Sequence, residues 1–285
     1  MNQVKEIVKR VKQIAPLSQS SMKLMEIIKR EDYSLGEITR IVEHDPALTV
    51  NVLKVVNAPA FGLGQSVTSL ARAVSFLGDK TVVGIAIASC SPQVYDKGLD
   101  GYAAERGELW RHSLHTAVAA RELVKHAKKA INTEAAFTGA ILHDIGKAVL
   151  SEFLHDRTGS LLSSIESQEA GNFSDAERKA LGADHTEIGL ALAKHWNLPA
   201  PLCQCIRYHH TPREADEAWR GLVFAVHLGD AIAMMGGSGT GADALLYPLD
   251  ESWEDYFNLD ATGLELVIMN ANTEFQRTKT SLYGD

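Results

Sequence analysis

Histidine is the residue type whose number and placement in this chain could do chemistry. The 285 residues include 11 histidines, and histidine is both the commonest metal ligand and the side chain that exchanges a proton near neutral pH. An imidazole beside a carboxylate suits a divalent transition metal. The dipeptide His-Asp occurs three times, at His44-Asp45, His143-Asp144 and His155-Asp156.

The surroundings separate His143-Asp144 from the other two dipeptides. Asp45 precedes Pro46, which is the pattern of a helix N-cap, and His155-Asp156 follows an amphipathic helix in a polar segment. His143-Asp144 lies instead in the apolar stretch Ala-Phe-Thr-Gly-Ala-Ile-Leu-His-Asp-Ile-Gly-Lys. A buried charge is costly unless it is compensated, and a bound metal would compensate it. The sequence therefore predicts a buried metal site at this dipeptide.

Helices must position these side chains, because apolar residues recur at three- and four-residue spacing along nearly the whole chain. After residue 101 this pattern covers residues 108–126, 134–144, 147–154, 161–170, 185–195, 200–210 and 219–236. Upstream, Ser34 and Glu37 form a capping box, and Thr68 is expected to cap a helix that ends at Gly78. Residues 82–88 could form a strand by propensity, but their helical neighbours favour a helix. We expect an all-α fold.

Composition restricts the environment in which the chain can work. Hydrophobic residues make up 45% and charged residues 22%, as in globular proteins. No run of about 18 uncharged apolar residues predicts a membrane span, and the N-terminus MNQVKEIVKR does not resemble a secretory signal. Three cysteines, Cys90, Cys203 and Cys205, are too few to staple a chain of this size. We expect a cytoplasmic protein without a membrane partner.

Charge is divided unevenly along the chain. Residues 1–100 carry 12 Lys and Arg against 10 Asp and Glu, residues 101–285 carry 16 against 26, and the net charge is −8. Binding to a phosphate backbone needs clustered positive charge, so the sequence argues against a nucleic-acid partner.

The balance of positive and negative charge changes near residues 91–102, which are rich in Pro, Gly and Asp. We place a boundary there, between an N-terminal helical subdomain (residues 1–95) and a helical bundle (residues 96–285).

Several motifs resemble one known family. Leu142-His-Asp-Ile-Gly-Lys147 resembles the core motif of the HD superfamily of metal-dependent phosphohydrolases. Further matches in the family's order are Trp110-Arg-His-Ser-Leu114, His185-Thr-Glu-Ile-Gly189, Trp196-Asn-Leu-Pro199, His209-His210 and Asp230. The helical region of the HDOD branch, which is related to HD-GYP phosphodiesterases, is matched by Asp45-Pro-Ala-Leu-Thr49, Val56-Asn-Ala58, Phe61-Gly62 and Val67-Thr-Ser-Leu70 through Leu77-Gly78. The resemblance covers about residues 15–230 and implies an HD-like helical bundle with an additional N-terminal subdomain.

The resemblance implies a site for one or two divalent ions, such as Fe, Mn, Zn or Ni. The implied ligands are His112, His143, Asp144, His185, His209, His210 and Asp230. Asp144 could bridge two ions with its two oxygens, and Glu108 could add a carboxylate because it lies four residues before His112 on the same helical face. Lys147 lies three residues beyond Asp144, where it could contact a phosphate. We therefore take Asp144 and Lys147 as the candidate catalytic residues.

Each of these positions also has a structural interpretation. His112 could be a buried core histidine, Asp230 could cap a helix after Gly229, and Glu108 could form a surface hydrogen bond. His209-His210 could simply be a polar helix end. The order and spacing of the series as a whole favour metal binding. The histidines that match no motif, which we expect to be structural, are His115, His126, His195 and His227.

Two functions follow from the resemblance, and neither excludes the other. HDOD proteins are thought to act as regulatory modules, which predicts a bacterial signal-transduction protein with a separate signalling protein, or a nucleotide or phosphate ligand, as its partner. The retained ligands predict instead a metal-dependent phosphohydrolase that cleaves phosphomonoesters or nucleotide phosphodiesters. HD-GYP enzymes carry Gly-Tyr-Pro after the paired histidines, whereas this chain continues Thr211-Pro-Arg-Glu214. The sequence therefore argues against hydrolysis of cyclic di-GMP.

Overall fold

The fold is helical throughout the part of the chain that the structure describes. This computed structural model describes residues 2–14, 17–28, 30, 32–57, 67–89 and 97–283. Within these ranges there are α-helices, short 3-10 helices and two isolated antiparallel bridges, and no strand. The predicted all-α class is confirmed, and none of the helices in these ranges is long and apolar enough to cross a bilayer.

Six helices form the N-terminal part of the described chain. They are α1 (Asn2–Gln13), α2 (Gln19–Ile28), α3 (Leu35–Glu43), α4 (Pro46–Val56), α5 (Leu70–Leu77) and α6 (Asp79–Ser89). Ser34 and Glu37 form the expected capping box at the start of α3. At α5 the capping residue is Ser69 rather than Thr68, because the Ser69 hydroxyl accepts the backbone N–H of Arg72. The predicted capping residue was therefore one position too early in the sequence.

The larger part of the fold follows residue 97. Its helices are α7 (Glu108–Val124), α8 (Thr133–Leu142), α9 (Ile145–Leu154), α10 (Thr158–Glu166), α11 (Phe173–Leu181), α12 (His185–His195), α13 (Ala200–Tyr208), α14 (Arg220–Met235) and α15 (Ala261–Tyr283). Short 3-10 helices span Asp100–Tyr102, Pro212–Glu214 and Glu251–Asp255.

The sequence pattern predicted most, but not all, of these elements. The seven helical segments expected after residue 101 correspond to α7, α8, α9, α10, α12, α13 and α14. Helices α2, α11 and α15 were not anticipated. Residues 82–88 belong to helix α6, as their helical neighbours indicated. Ala58, Phe61, Gly62, Cys90 and the segment 91–96 lie outside the described residues. The boundary between residues 95 and 96 therefore stays a prediction.

Helix α7 lies at the centre of the larger part and packs against α8, α14 and α15. Helix α9 packs against α12, while α6 packs against α8 and α1 against α12, so the N-terminal helices contact the bundle directly. Two glycines allow the closest approaches. A Cβ on Gly229 would lie 2.9 Å from the Thr116 carbonyl oxygen, between α14 and α7, and one on Gly146 would lie 1.8 Å from the His185 carbonyl oxygen, between α9 and α12.

The contact at Gly146 gives a stability prediction. Replacing Gly146 with Ala would force α9 away from α12, and we expect the free energy of unfolding to fall by at least about 2 kcal/mol. Chemical denaturation of the chelator-treated protein measures this loss. Gly159 in α10 is the matched control, because a Cβ there meets no atom within 4 Å. Gly159→Ala should be neutral or stabilising by up to about 1 kcal/mol; equal effects of the two substitutions would contradict the close approach.

Candidate metal centre

Three of the seven predicted ligands lie within helices, and the other four lie in the turns at helix ends. His112 lies within α7, Asp230 lies within α14, and His185 is the first residue of α12. His143 and Asp144 occupy the break between α8 and α9, and the Asp144 side chain makes no capping bond with the backbone of α9. Its carboxylate is therefore turned towards the other ligands. Asp230 is mid-helix, so it is not a cap after Gly229.

One group of donors surrounds Asp144 Oδ2. His112 Nε2 lies 3.2 Å from His143 Nε2 and 3.0 Å from Asp230 Oδ1. Asp144 Oδ2 is 3.4 Å from the Nε2 atoms of both His112 and His143. These distances bring His112, His143 and Asp144 together, and Asp230 lies beside the two imidazoles of this group.

A second group of donors faces the other oxygen of the same carboxylate. Asp144 Oδ1 lies 3.5 Å from His185 Nε2 and 3.4 Å from His209 Nε2. His210 Nε2 is 3.2 Å from His185 Nε2. The side chain of Asp144 thus lies between two sets of imidazole rings and presents one carboxylate oxygen to each set. This is the arrangement that a carboxylate bridging two ions requires.

Hydrogen bonds on the far side of the rings fix which nitrogen faces the cluster. His112 Nδ1 lies 2.6 Å from the Ser238 carbonyl oxygen, and His143 Nδ1 lies 2.6 Å from that of Ala140. His209 Nδ1 is 3.1 Å from the Ile206 carbonyl oxygen. A carbonyl can only accept, so in each case Nδ1 donates, and a ring that is neutral offers the lone pair of Nε2 to the cluster.

The resulting cluster fits a divalent metal. Among the described residues, Asp144 Oδ1, His209 Nε2 and Asp230 Oδ1 are buried without a hydrogen-bond partner. Buried polar atoms are rarely left without a partner, and with neutral imidazoles acceptors would face acceptors across 3.0–3.4 Å. Only a cation or a proton between them makes such contacts favourable. Imidazole and carboxylate donors together suit Mn, Fe, Ni or Zn.

Electrostatics at the cluster point the same way. Burial disfavours a charged His112 ring, but the carboxylates of Asp144 and Asp230 outweigh burial and raise the pKa of His112 to about 10. Burial also opposes ionisation of Asp144, yet Lys147 and His143 hold the pKa of that carboxyl well below its usual range. The site therefore attracts positive charge, and a metal ion binding there would displace a proton from His112.

Glu177 is a buried carboxylate of the site that sequence reasoning missed. Its Oε2 lies 2.7 Å from His185 Nδ1 and also accepts the backbone N–H of His185, while the hydroxyl of Tyr102 donates to its Oε1. A carboxylate behind a ligating imidazole orients the ring and strengthens it as a donor. The sequence pattern did not reveal helix α11, so nothing in it placed Glu177 on a buried face beside Ala176.

Lys147 is fully buried, and its ammonium group is already engaged. Its Nζ lies 2.7 Å from Asp144 Oδ2 and 2.5 Å from Asp243 Oδ2, and it donates to Thr240 Oγ1 at 2.8 Å. Burial opposes the charge, but the two carboxylates raise the pKa of Lys147 above its usual value. With three partners for three N–H groups, the side chain holds Asp144 in place. The predicted contact with a phosphate would require one of these bonds to break.

The structure does not bring Glu108 to the cluster. Its carboxylate accepts the backbone N–H of Glu105 at 2.8 Å and lies 3.7 Å from Arg111. The histidines that match no family motif also lie outside the cluster. His115 stacks on Phe275, and His227 supports the site indirectly, because its Nδ1 lies 2.6 Å from the His209 carbonyl oxygen.

Comparison with known proteins agrees with the motifs. The family model described as HDOD domain matches residues 14–212 of the chain. An uncharacterized protein of Treponema pallidum (strain Nichols) is 27% identical over 222 residues, which is 77% of this chain and 42% of that protein. The chain therefore spans less than half the length of this relative.

Solved structures share the fold over nearly the whole chain. An HDOD domain protein with unknown function from Geobacter sulfurreducens has a TM-score of 0.72 at 18% identity, with 99% of each chain covered. A candidate phosphohydrolase from Shewanella amazonensis SB2B has a TM-score of 0.69 at 22% identity, with 97% of each chain covered. A candidate signal transduction protein from Marinobacter aquaeolei VT8 has a TM-score of 0.71 at 21% identity, covering 99% of this chain and 64% of that one.

The buried ion pairs of Lys147 give a prediction that tests whether this side chain holds Asp144 in place or is free to bind a phosphate. In chelator-treated protein, Lys147→Met should lower the free energy of unfolding by about 3–5 kcal/mol, because it leaves two buried carboxylates without their counter-charge. Chemical denaturation measures the change. Lys125→Met is the control, because Lys125 pairs with Glu122 in solvent and should change stability by no more than about 0.5 kcal/mol. A Lys147→Met protein as stable as the wild type would contradict the supporting role.

Proposed function

The chain belongs to the HDOD domain family, and on this premise we propose that it is a bacterial signal-transduction protein that carries a buried divalent metal centre. One observation carries the proposal. Asp144 presents its two oxygens to two groups of imidazole nitrogens, and Asp144 Oδ1 and His209 Nε2 lie 3.4 Å apart with no hydrogen bond between them. A metal ion bound between them would satisfy both atoms.

The two groups of donors assign residues to two ion positions. The first position would be held by His112, His143, Asp144 and Asp230, and the second by Asp144, His185, His209 and His210. Four carboxylate and imidazole donors from separate helices would tie those helices together. Binding of an ion would therefore stabilise one arrangement of the bundle.

Burial of the donors favours the regulatory role. His112, His143, His185 and His209 are fully buried, and Asp144 is 1% exposed. A phosphoester could reach these atoms only after the surrounding side chains moved. The proposed partner is a separate signalling protein, or a nucleotide or phosphate ligand whose binding alters the bundle. We propose a cytoplasmic location, in keeping with the cysteine content of the chain.

Phosphoester hydrolysis is the second candidate, and a cavity beside His210 favours it. The cavity has a volume of about 270 Å³, and Arg178, Arg207 and Thr186 contribute to its lining. Arg207 donates to Thr186 Oγ1 at 2.9 Å and so holds its guanidinium at the cavity wall. Guanidinium groups are effective donors to phosphate oxygens.

In this second role the chain's own residues would orient the substrate. Arg207 would bind a phosphate oxygen through its remaining N–H groups, while Lys147 would keep Asp144 ionised and in place. Divalent ions bound at such a centre polarise phosphoryl oxygens and activate water. The 3-10 helix Pro212–Glu214 occupies the place in sequence of the Gly-Tyr-Pro loop, so cyclic di-GMP should be a poor substrate.

Substitution of Asp144 tests the metal centre. Protein purified without chelator should contain divalent metal by elemental analysis, and Asp144→Asn should lose it, because the amide cannot bridge two cations as an anion does. Asp156→Asn is the matched control, since Asp156 belongs to an exposed His-Asp dipeptide and pairs with His155 in solvent. Wild-type protein that takes up no divalent metal at any tested concentration would contradict the proposal.

A phosphoester screen of the same proteins separates the two candidate functions. Hydrolysis by the wild type and by Asp156→Asn, but not by Asp144→Asn, would establish the second candidate. Metal-loaded protein that cleaves neither p-nitrophenyl phosphate nor a panel of nucleotides would leave the regulatory function. Efficient cleavage of cyclic di-GMP that depends on Asp144 would show that the missing Gly-Tyr-Pro loop is not required.

A further inference from the structure

The ring of Tyr247 lies face to face with the imidazole of His210. The ring centres are 3.8 Å apart and the planes differ by 10°. Tyr247 belongs to residues 236–250, which connect α14 to the 3-10 helix Glu251–Asp255 and which we term the covering segment. This segment follows residues 14–212, the part of the chain that matches the family model. The stacked pair therefore joins a matched residue to one outside the match.

His210 differs from the other four cluster histidines in how its ring is oriented. Those rings each have a hydrogen-bond acceptor at Nδ1, which is a carbonyl oxygen for three of them and Glu177 for His185. His210 Nδ1 is buried without a hydrogen-bond partner in the described chain, and it lies 4.0 Å from Asp230 Oδ2. The orientation of this ring therefore depends on ring contacts, which are the stack on Tyr247, an edge contact with His185 and a tilted contact with His209 at 4.0 Å between ring centres.

Tyr247 is itself held firmly at its other end. Its hydroxyl donates to Asp243 Oδ2 at 2.8 Å, and the same oxygen lies 2.5 Å from Lys147 Nζ. Asp243 Oδ1 accepts the Thr240 hydroxyl at 2.9 Å. Since Lys147 also binds Asp144, a continuous set of buried contacts runs from the bridging carboxylate to the ring that supports His210. Tyr247 is thus placed by the same groups that place Asp144.

We propose that Tyr247 is a positioning residue that fixes His210 as a donor of the second ion position. The stack orients the imidazole of His210, just as a hydrogen bond at Nδ1 orients each of the other four rings. The inference rests on the proposed metal centre and adds a residue that the family motif does not contain. His210 belongs to the second group of donors and not to the first. Loss of the tyrosine ring therefore weakens one ion position and spares the other.

Titration of the full-length, metal-free protein with Mn²⁺ tests the inference without relying on activity. Isothermal calorimetry gives the number of ions and the affinity of each. The wild type should bind two ions. Tyr247→Leu should weaken one of them by about 10- to 100-fold, the usual cost of losing a residue that orients a ligand, and leave the other unchanged. Tyr247→Phe keeps the ring and should retain both affinities close to the wild-type values.

Two further variants serve as controls. Tyr256 stacks on Phe224 with ring centres 4.5 Å apart, away from the cluster, so Tyr256→Leu removes a comparable stack and should leave both Mn²⁺ affinities unchanged. In a His210→Ala background, Tyr247→Leu should have no additional effect, because the ligand that it positions is already gone. Denaturation curves of every variant confirm that each is folded before titration.

The outcomes distinguish the positioning role of Tyr247 from the existence of the metal centre itself. Tyr247→Leu protein that binds two ions with wild-type affinities would overturn the role of Tyr247 and leave the metal centre standing. Equal weakening by Tyr247→Phe and Tyr247→Leu would assign the effect to the hydroxyl and would also overturn the stacking role. Equal weakening of both ions by Tyr247→Leu would contradict a role confined to His210. A wild-type protein that binds no Mn²⁺ or other divalent ion would overturn the metal centre and this inference together.

Discussion

The rest of the structure depends on how the negative charge around Asp144 is compensated. Four carboxylates, those of Asp144, Glu177, Asp230 and Asp243, are at most 3% exposed, and Lys147 is the buried ammonium beside them. With neutral histidines this leaves four negative charges against one positive charge in an interior of low dielectric. Such an imbalance is very costly unless protons or metal ions supply the missing charge. Despite burial, the carboxylates of Asp144 and Asp230 raise the pKa of His112, so this ring would carry one of those protons where no metal ion is bound.

The helices are arranged so that this cluster can form. Four of the five imidazoles are oriented by acceptors on their far side, so their donor atoms are in place before an ion arrives. The glycines between α9 and α12 and between α14 and α7 let backbones approach closely enough for side chains of different helices to meet. A metal ion bound there would add its binding energy to an already folded bundle. This pre-organisation explains why ligands more than 100 residues apart in the sequence, such as His112 and Asp230, lie 3.0 Å apart.

The sequence was most informative where the chemistry is local. The order of His112, His143, Asp144 and the later histidines predicted the cluster, because each of these residues lies in its own short motif. Glu108 lies about 6 Å along the helix axis from His112, and its carboxylate binds the backbone N–H of Glu105 rather than facing the cluster. Glu177 lies on a helix that the pattern did not reveal. Asp243 and Tyr247 belong to an irregular segment, whose contacts no periodicity encodes.

The covering segment also bears on how the centre could act in regulation. Ser238 accepts from His112, Asp243 binds Lys147, and Tyr247 stacks on His210, so the segment contacts side chains of both proposed ion positions. Displacement of the segment would remove the contacts that orient His112 and His210, one donor at each proposed position. Thermodynamic linkage makes this effect reciprocal: a partner that binds the displaced form must weaken ion binding, and bound ions must oppose that partner by the same free energy. Burial of the cluster, which hinders a phosphoester from reaching it, is for this reason compatible with a site that reports on a binding event.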